Sequence, residues 1–172
     1  MDNVYNNIDE ITDKLYLGDL LGAFNVEKLK SLGIKKVLSV IIGTFSKYKE
    51  SDNIIQKTIW VNDVPWQNII KYFGECLNFI KGDDKVLVHC AAGVSRSASI
   101  VIAYIMWDKK MSFEDALEFV NKKVFFFVYP NDGFRDQLQI FEKELIEKNY
   151  DIDKIKFEEI KWEPNEKNWL IK

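Results

Sequence analysis

A chain of 172 residues, 47% hydrophobic and 14% aromatic, has apolar matter for one domain with a substantial core, so a second domain is not expected. A net charge of −3 argues against a broad polyanion-binding face, which needs clustered Lys and Arg, and two cysteines provide neither a disulfide framework nor a zinc site. The start MDNVYNNIDE lacks the basic and apolar runs of a signal peptide, Asp2 breaks the myristoylation pattern, and the longest apolar stretch falls far below the roughly 18 residues of a membrane span.

Residues 1–7 are polar and Asn-rich and read as an arm. Alternating apolar residues over 11–17, stopped by Gly18, predict an edge strand or hairpin. The pattern over 23–32 predicts one short helix with Phe24, Leu29 and Leu32 inward and Gly33 as its stop. Residues 34–42 form a nearly continuous apolar run, as expected of a strand covered on both faces. After a polar connection over 44–53, residues 54–61 alternate as another strand and deliver the chain to Asp63. Asp63 has two readings, a turn residue before Val-Pro or a proton donor.

Ile69, Phe73, Cys76, Leu77 and Ile80 share one helical face in 68–80, which makes Cys76 a core residue rather than a redox partner. A charged turn at 82–85 then leads into Val86, Leu87 and Val88, a buried strand that ends on His89 and Cys90. Between Cys90 and Arg96 stand Ala91, Ala92, Gly93, Val94 and Ser95, none bulky enough to stop the backbone curling its N–H groups inward. From Ser95, a candidate N-cap, a helix is predicted with Ile100, Ala103, Tyr104 and Trp107 at helical spacing. Strand, glycine loop and helix N-terminus together make an anion cradle. A thiol in such a field, close to an Arg, ionises more readily than a free one, which makes Cys90 the candidate nucleophile. Arg96 offers a planar fork for two phosphoryl oxygens, the Ser97 hydroxyl can donate to the sulfur, and His89 can orient that sulfur from behind.

Residues 112–122 predict a further helix capped by Ser112. The run VFFFVY at 124–129 is expected to be buried under the last helix, 134–146; the alternative places an aromatic on the rim of a substrate pocket. Past 146 the tail carries Ile155, Phe157, Ile160, Trp162 and Trp169, which suits folding back onto the domain, with docking on a partner or a second subunit as the alternative.

The motif HCAAGVSRS resembles the phosphate-binding loop of cysteine-dependent protein tyrosine phosphatases, most closely the small, atypical dual-specificity phosphatases. LYLG at 15–18, DVPW and YF between 63 and 73, and PNDGF with QL between 130 and 138 resemble that family's landmarks in the same order. The resemblance implies an α/β fold, a single domain whose central, mostly parallel and largely buried sheet is flanked by helices. It implies a catalytic domain over 8–145, between the arm 1–7 and a C-terminal extension 146–172. It also implies that Asp63 is the general acid and that Asn131 braces the loop through its side-chain amide. The family often carries a basic residue shortly before Pro-Asn; Phe125, Phe126 and Phe127 stand there instead, which removes the grounds for a borrowed second-phosphate site.

The chemistry expected is metal- and cofactor-independent hydrolysis of phosphotyrosine and phosphoserine or phosphothreonine in proteins. Cys90 attacks phosphorus, residues 91–96 bind the phosphoryl oxygens, Asp63 protonates the leaving group and Ser97 eases the return of the thiolate. A phosphoinositide or RNA 5′-triphosphate phosphatase is the first alternative, disfavoured by the uncharged residues 91–94, and a non-catalytic phosphoprotein-binding module is the second. A reactive thiolate suits the cytosol or nucleus, and the expected partner is a phosphoprotein rather than a nucleic acid.

Overall fold

The computed structural model describes residues 7–43 and 48–165. The hairpin over the first landmark is made by β1 (Ile8–Glu10) and β2 (Leu15–Gly18), antiparallel, with the Thr12 hydroxyl accepting the Leu15 amide inside the turn. Strands β3 (Ile34–Val40), β4 (Ile55–Ile59) and β5 (Lys85–His89) complete a sheet of order β1-β2-β5-β3-β4, in which every pair except the hairpin is parallel. The mostly parallel sheet implied by the resemblance is thus the observed one.

Covering helices explain why β5 reads as an unbroken apolar run. Val86 and Val88 face one core together with Leu15, Leu17, Leu38 and Val40, while Leu87 faces the other with Tyr16, Val37 and Leu29. The larger core is closed by α3 (Phe73–Ile80), α4 (Arg96–Lys109), α5 (Phe113–Asn121) and α6 (Asp132–Glu147). The smaller lies under α1 (Leu20–Phe24) and α2 (Val26–Leu32).

Those two short helices replace the single one expected over 23–32. Asn25 interrupts it, because its side chain accepts the Lys28 amide and caps α2 while Asp19 caps α1 through Gly22. The break takes Phe24 out of register with the core, and it is 41% exposed rather than inward. Gly33 ends α2 in the left-handed region, at φ 76°, as expected of a glycine stop. Likewise, a 3-10 turn (Ile70–Tyr72) precedes α3 where one continuous helix was expected.

Two further expectations met different outcomes. The tail folds back: Ile152, Ile155 and Phe157 are buried in the larger core, and the Phe157 ring lies so close to Gly74 that a Cβ there would sit 2.6 Å from it. A tail docking on a partner would have to give up those three anchors; Trp169 lies outside the described residues. The run at 124–129 is not buried as a block. Val128 alone is fully covered, while Phe125, Phe126, Phe127 and Tyr129 are exposed, because the segment crosses the surface between α5 and α6 instead of passing beneath α6. No helix among the described residues is long and apolar enough to cross a membrane.

Candidate active site

The parallel register aligns the C-terminal ends of three strands, pairing His89 with Gly18 of β2 on one side and with Ser39 of β3 on the other. The chain then leaves the sheet at Cys90, at the carboxyl edge where open α/β sheets bind ligands. Residues 90–95 curl before α4 begins, and the curl is held from outside by its carbonyls. Leu20 N–H donates to the Ala91 carbonyl at 3.1 Å, Tyr129 N–H to the Val94 carbonyl at 2.9 Å, and the His89 ring holds the Cys90 carbonyl at 3.1 Å. Every peptide bond among the described residues is trans, so N–H and C=O point in opposite directions across each plane. Tying those three carbonyls outward therefore turns the amides of Ala91, Ala92 and Ser95 the other way. Gly93 closes the curl at φ 74°, where a Cβ would also meet the Gly18 carbonyl at 2.8 Å.

Inside the curl Cys90 is buried, and its sulfur accepts hydrogen bonds from Gly93 N–H at 3.2 Å and from the Ser97 hydroxyl at 3.1 Å. Arg96 donates from Nη1 to the Val61 carbonyl at 3.3 Å, while its buried Nε has no partner. A buried guanidinium N–H left unpaired beside an amide-lined curl matches the demands of a phosphoryl oxygen.

His89 works on the backbone. Burial pushes its imidazole down to about 4, so at neutral pH the ring is uncharged. A carbonyl can only accept, so Nδ1 carries the proton given to Cys90 O, and Nε2 accepts from the Ser39 hydroxyl at 2.7 Å. Ser39 in turn accepts from Gln56 at 3.4 Å. The expectation that His89 orients the sulfur is thereby corrected: its grip is on the carbonyl of Cys90, one step removed. Cys76 sits in the core, and burial raises its thiol far above the ordinary range.

Asp63 is brought onto the loop from 27 positions upstream of Cys90. Its Oδ1 accepts from the Ser95 hydroxyl at 2.7 Å and from Asn131 Nδ2 at 2.9 Å, and its side chain is otherwise open to solvent. Two expectations change here. Ser95 occupies the N-cap position of α4 but makes no capping bond with its side chain, because the carboxylate of Asp63 is the stronger acceptor. Asn131 spends its side-chain amide on Asp63 rather than on the loop; its backbone N–H reaches the loop through Ser95 Oγ at 3.0 Å, and its own oxygen caps α6 through the Phe134 amide.

Sequence reasoning placed Gln137 and Gly133 among the family landmarks without giving either a role, and the structure shows both fixing the acid segment. Gln137, fully buried in α6, accepts from the amides of Ile69 and Ile70 at 2.8 and 3.0 Å and donates to the carbonyls of Gln67 and Gly133, both at 3.0 Å. Gly133 lets α6 approach so closely that a Cβ would lie 1.8 Å from the Pro65 carbonyl oxygen. A buried Gln one turn inside a predicted helix was the available signal for the first. Among the described residues, no three His, Cys, Asp or Glu side chains are placed to share a metal ion.

The family model of the dual specificity phosphatase catalytic domain matches residues 15–144. The chain belongs to that family. Members dephosphorylate phosphotyrosine and phosphoserine or phosphothreonine by cysteine-dependent chemistry. The chain is 38% identical over 143 residues to dual specificity protein phosphatase 1B of Arabidopsis thaliana, covering 81% of this chain and 84% of that one. It is 41% identical over 142 residues to MAP kinase phosphatase with leucine-rich repeats protein 1 of Dictyostelium discoideum, covering 80% of this chain but only 16% of that much longer one. Among solved structures, the human tyrosine phosphatase-like serine/threonine/tyrosine-interacting protein superposes with a TM-score of 0.76 at 33% identity, over 82% of this chain and 99% of that one.

Proposed function

We propose that residues 89–97 and Asp63 form a metal-independent phosphatase centre acting on phosphorylated polypeptides. The single observation that carries this is the Asp63 carboxylate seated on Ser95 of the loop whose curl holds the Cys90 sulfur. Cys90 sulfur attacks phosphorus in line, the S–P bond forms, and the P–O bond to the substrate breaks. The inward amides of 91–96 and the Arg96 guanidinium receive the three equatorial oxygens, the orphan Nε taking one of them. Asp63, bonded only through Oδ1, delivers its proton from Oδ2 to the departing oxygen. It then removes a proton from water; the water attacks phosphorus, the S–P bond breaks, and inorganic phosphate leaves. Ser97 donates to the sulfur as it regains its charge. Activity needs an ionised sulfur together with a protonated carboxyl, so its pH dependence is bell-shaped.

The catalytic unit in this reading spans 8–145, with 146–172 an extension that Ile152, Ile155 and Phe157 anchor to it. A nucleophilic cysteine that must stay reduced favours a reducing compartment, cytosol or nucleus. Similarity to a human tyrosine phosphatase-like protein keeps a non-catalytic module as the competing reading, and this chain's own Cys90, Arg96 and Asp63 weigh against it. The test is turnover of aryl phosphates of graded leaving-group ability. Cys90→Ser is expected to abolish turnover of all of them, and Asp63→Asn to slow poor leaving groups about a hundredfold and good ones far less. Equal slowing of both would remove Asp63 from the mechanism, and retained activity in Cys90→Ser would remove the covalent step.

A further inference from the structure

The segment between α5 and the loop contact at Tyr129 is fixed at both ends, yet it presents three phenyl rings to water. The Asn121 side chain pairs with both backbone groups of Val128, donating to its carbonyl at 3.2 Å and accepting from its amide at 2.8 Å. The Phe125 amide lies beside the Asp9 carboxylate on β1, and the Tyr129 amide donates to the Val94 carbonyl of the phosphate loop. On this anchored frame Phe125 is 76% exposed and Phe127 69%, with the Phe125 and Phe126 rings edge to face at 4.9 Å. A fixed backbone that holds contiguous apolar side chains in solvent marks a surface made for contact.

Charge decides what kind of contact. The two lysines that precede the segment are already engaged, Lys122 with Glu118 at 2.6 Å and Lys123 over the Phe119 ring, and Arg135 lies with its guanidinium 4.6 Å over the Tyr129 ring. On its α5 side Phe127 closes a groove of about 310 Å³ with Leu117, Glu114, Asp115 and Glu118, apolar within and acidic at the edge. The groove suits an apolar side chain followed by a basic one, while the Arg135 guanidinium, with Nη1 buried and unpaired, stands behind the Tyr129 ring.

We propose that residues 124–129 form the substrate-selecting wall of the site, taking an apolar or aromatic residue that flanks the phosphorylated residue of a polypeptide. Continuity supports this occupant: the wall is bonded to the phosphate loop at Val94, so a polypeptide whose phosphate enters the curl passes over Tyr129 and onto the phenyl rings. The inference rests on the phosphatase reading above and deepens it.

The experiment compares phosphotyrosine peptides identical except for the flank: Leu-Phe in one, Asp-Ser in another, a second phosphotyrosine in a third. The intact chain is expected to favour the Leu-Phe peptide over the Asp-Ser peptide by about tenfold in kcat/KM, roughly 1.4 kcal/mol. The variant Phe125→Ser with Phe126→Ser and Phe127→Ser brings that ratio near one, and the corresponding triple change to Leu keeps it. An unchanged ratio in the Ser variant, or a preference for the doubly phosphorylated peptide, overturns the wall. Anisotropy of the same peptides on the Cys90→Ser chain separates the two readings: selective binding through these rings, with the intact chain inert toward every phosphoester, would sink the phosphatase reading and keep the wall. Cosedimentation with phosphatidylserine vesicles that the Ser variant loses would overturn the peptide assignment in favour of a lipid surface.

Discussion

His89, the only histidine, should make folding stability fall as the pH drops from 6.5 toward about 4. Its imidazole is fully buried, gives Nδ1–H to the Cys90 carbonyl and takes the Ser39 proton at Nε2, so a second proton would have to displace Ser39 inside the core. Burial lowers it from 6.5 to about 4. A base with a lowered folded value binds its proton more readily in the unfolded chain. Its contribution is therefore complete above pH 6.5 and is withdrawn as the pH falls toward about 4. At roughly 1.4 kcal/mol per pH unit the full withdrawal is about 3 kcal/mol, of which about 2 kcal/mol is gone by pH 5. For a chain of this size that is a drop in Tm of about 4–8 °C. The assay is thermal unfolding at pH 7.5 and pH 5, in the intact chain and in His89→Asn, whose amide offers an N–H to the Cys90 carbonyl and an oxygen to the Ser39 hydroxyl. The intact chain should show this extra drop and the variant should lack it. Parallel losses in both proteins, or an imidazole proton resonance that titrates near pH 6.5 in the folded chain, would refute the reasoning.

Gly133→Ala forces a Cβ against the Pro65 carbonyl and should cost about 1–3 kcal/mol in denaturant unfolding while slowing poor leaving groups more than good ones, as expected if the acid segment is pushed off the loop. Gln137→Leu strips the acceptor from the buried amides of Ile69 and Ile70, and at about 1–3 kcal/mol for each group left unpaired it should lower stability more than any exposed substitution, as urea titration would show. Phe157→Ala empties the slot between Gly74 and Phe141 and should cost about 3 kcal/mol by the same measurement; a loss near zero would mean that the tail is not part of the core.

The parts of the site legible in the sequence are those whose partners are near in the chain. From His89 to Ser97 nine consecutive residues carry the sulfur, the curl and the guanidinium, and the strand before them and the helix after them have clear periodicities. What could not be read is where long-range partners pull a side chain away from a local role. Ser95 has the composition and position of an N-cap, but the Asp63 carboxylate, 32 positions away, takes its hydroxyl. Asn131 lies 68 positions from the same carboxylate and serves it with the amide that the family resemblance assigned to the loop. The break at Asn25 escaped the pattern because a capping Asn and a mid-helix Asn look alike until the backbone chooses. The exposed phenyl rings escaped it because hydrophobicity predicts burial, and a surface that waits for a partner has the same composition as a core.

The account turns on a phosphorus atom bonded to one sulfur during turnover. Rapid acid quench of the Asp63→Asn chain with a good-leaving-group aryl phosphate, followed by peptide mass spectrometry, measures this directly, because slow hydrolysis lets the intermediate accumulate. The account predicts one phosphate on the peptide containing Cys90 and none in Cys90→Ser; turnover with that peptide unmodified, or phosphate found on any other side chain, would contradict it.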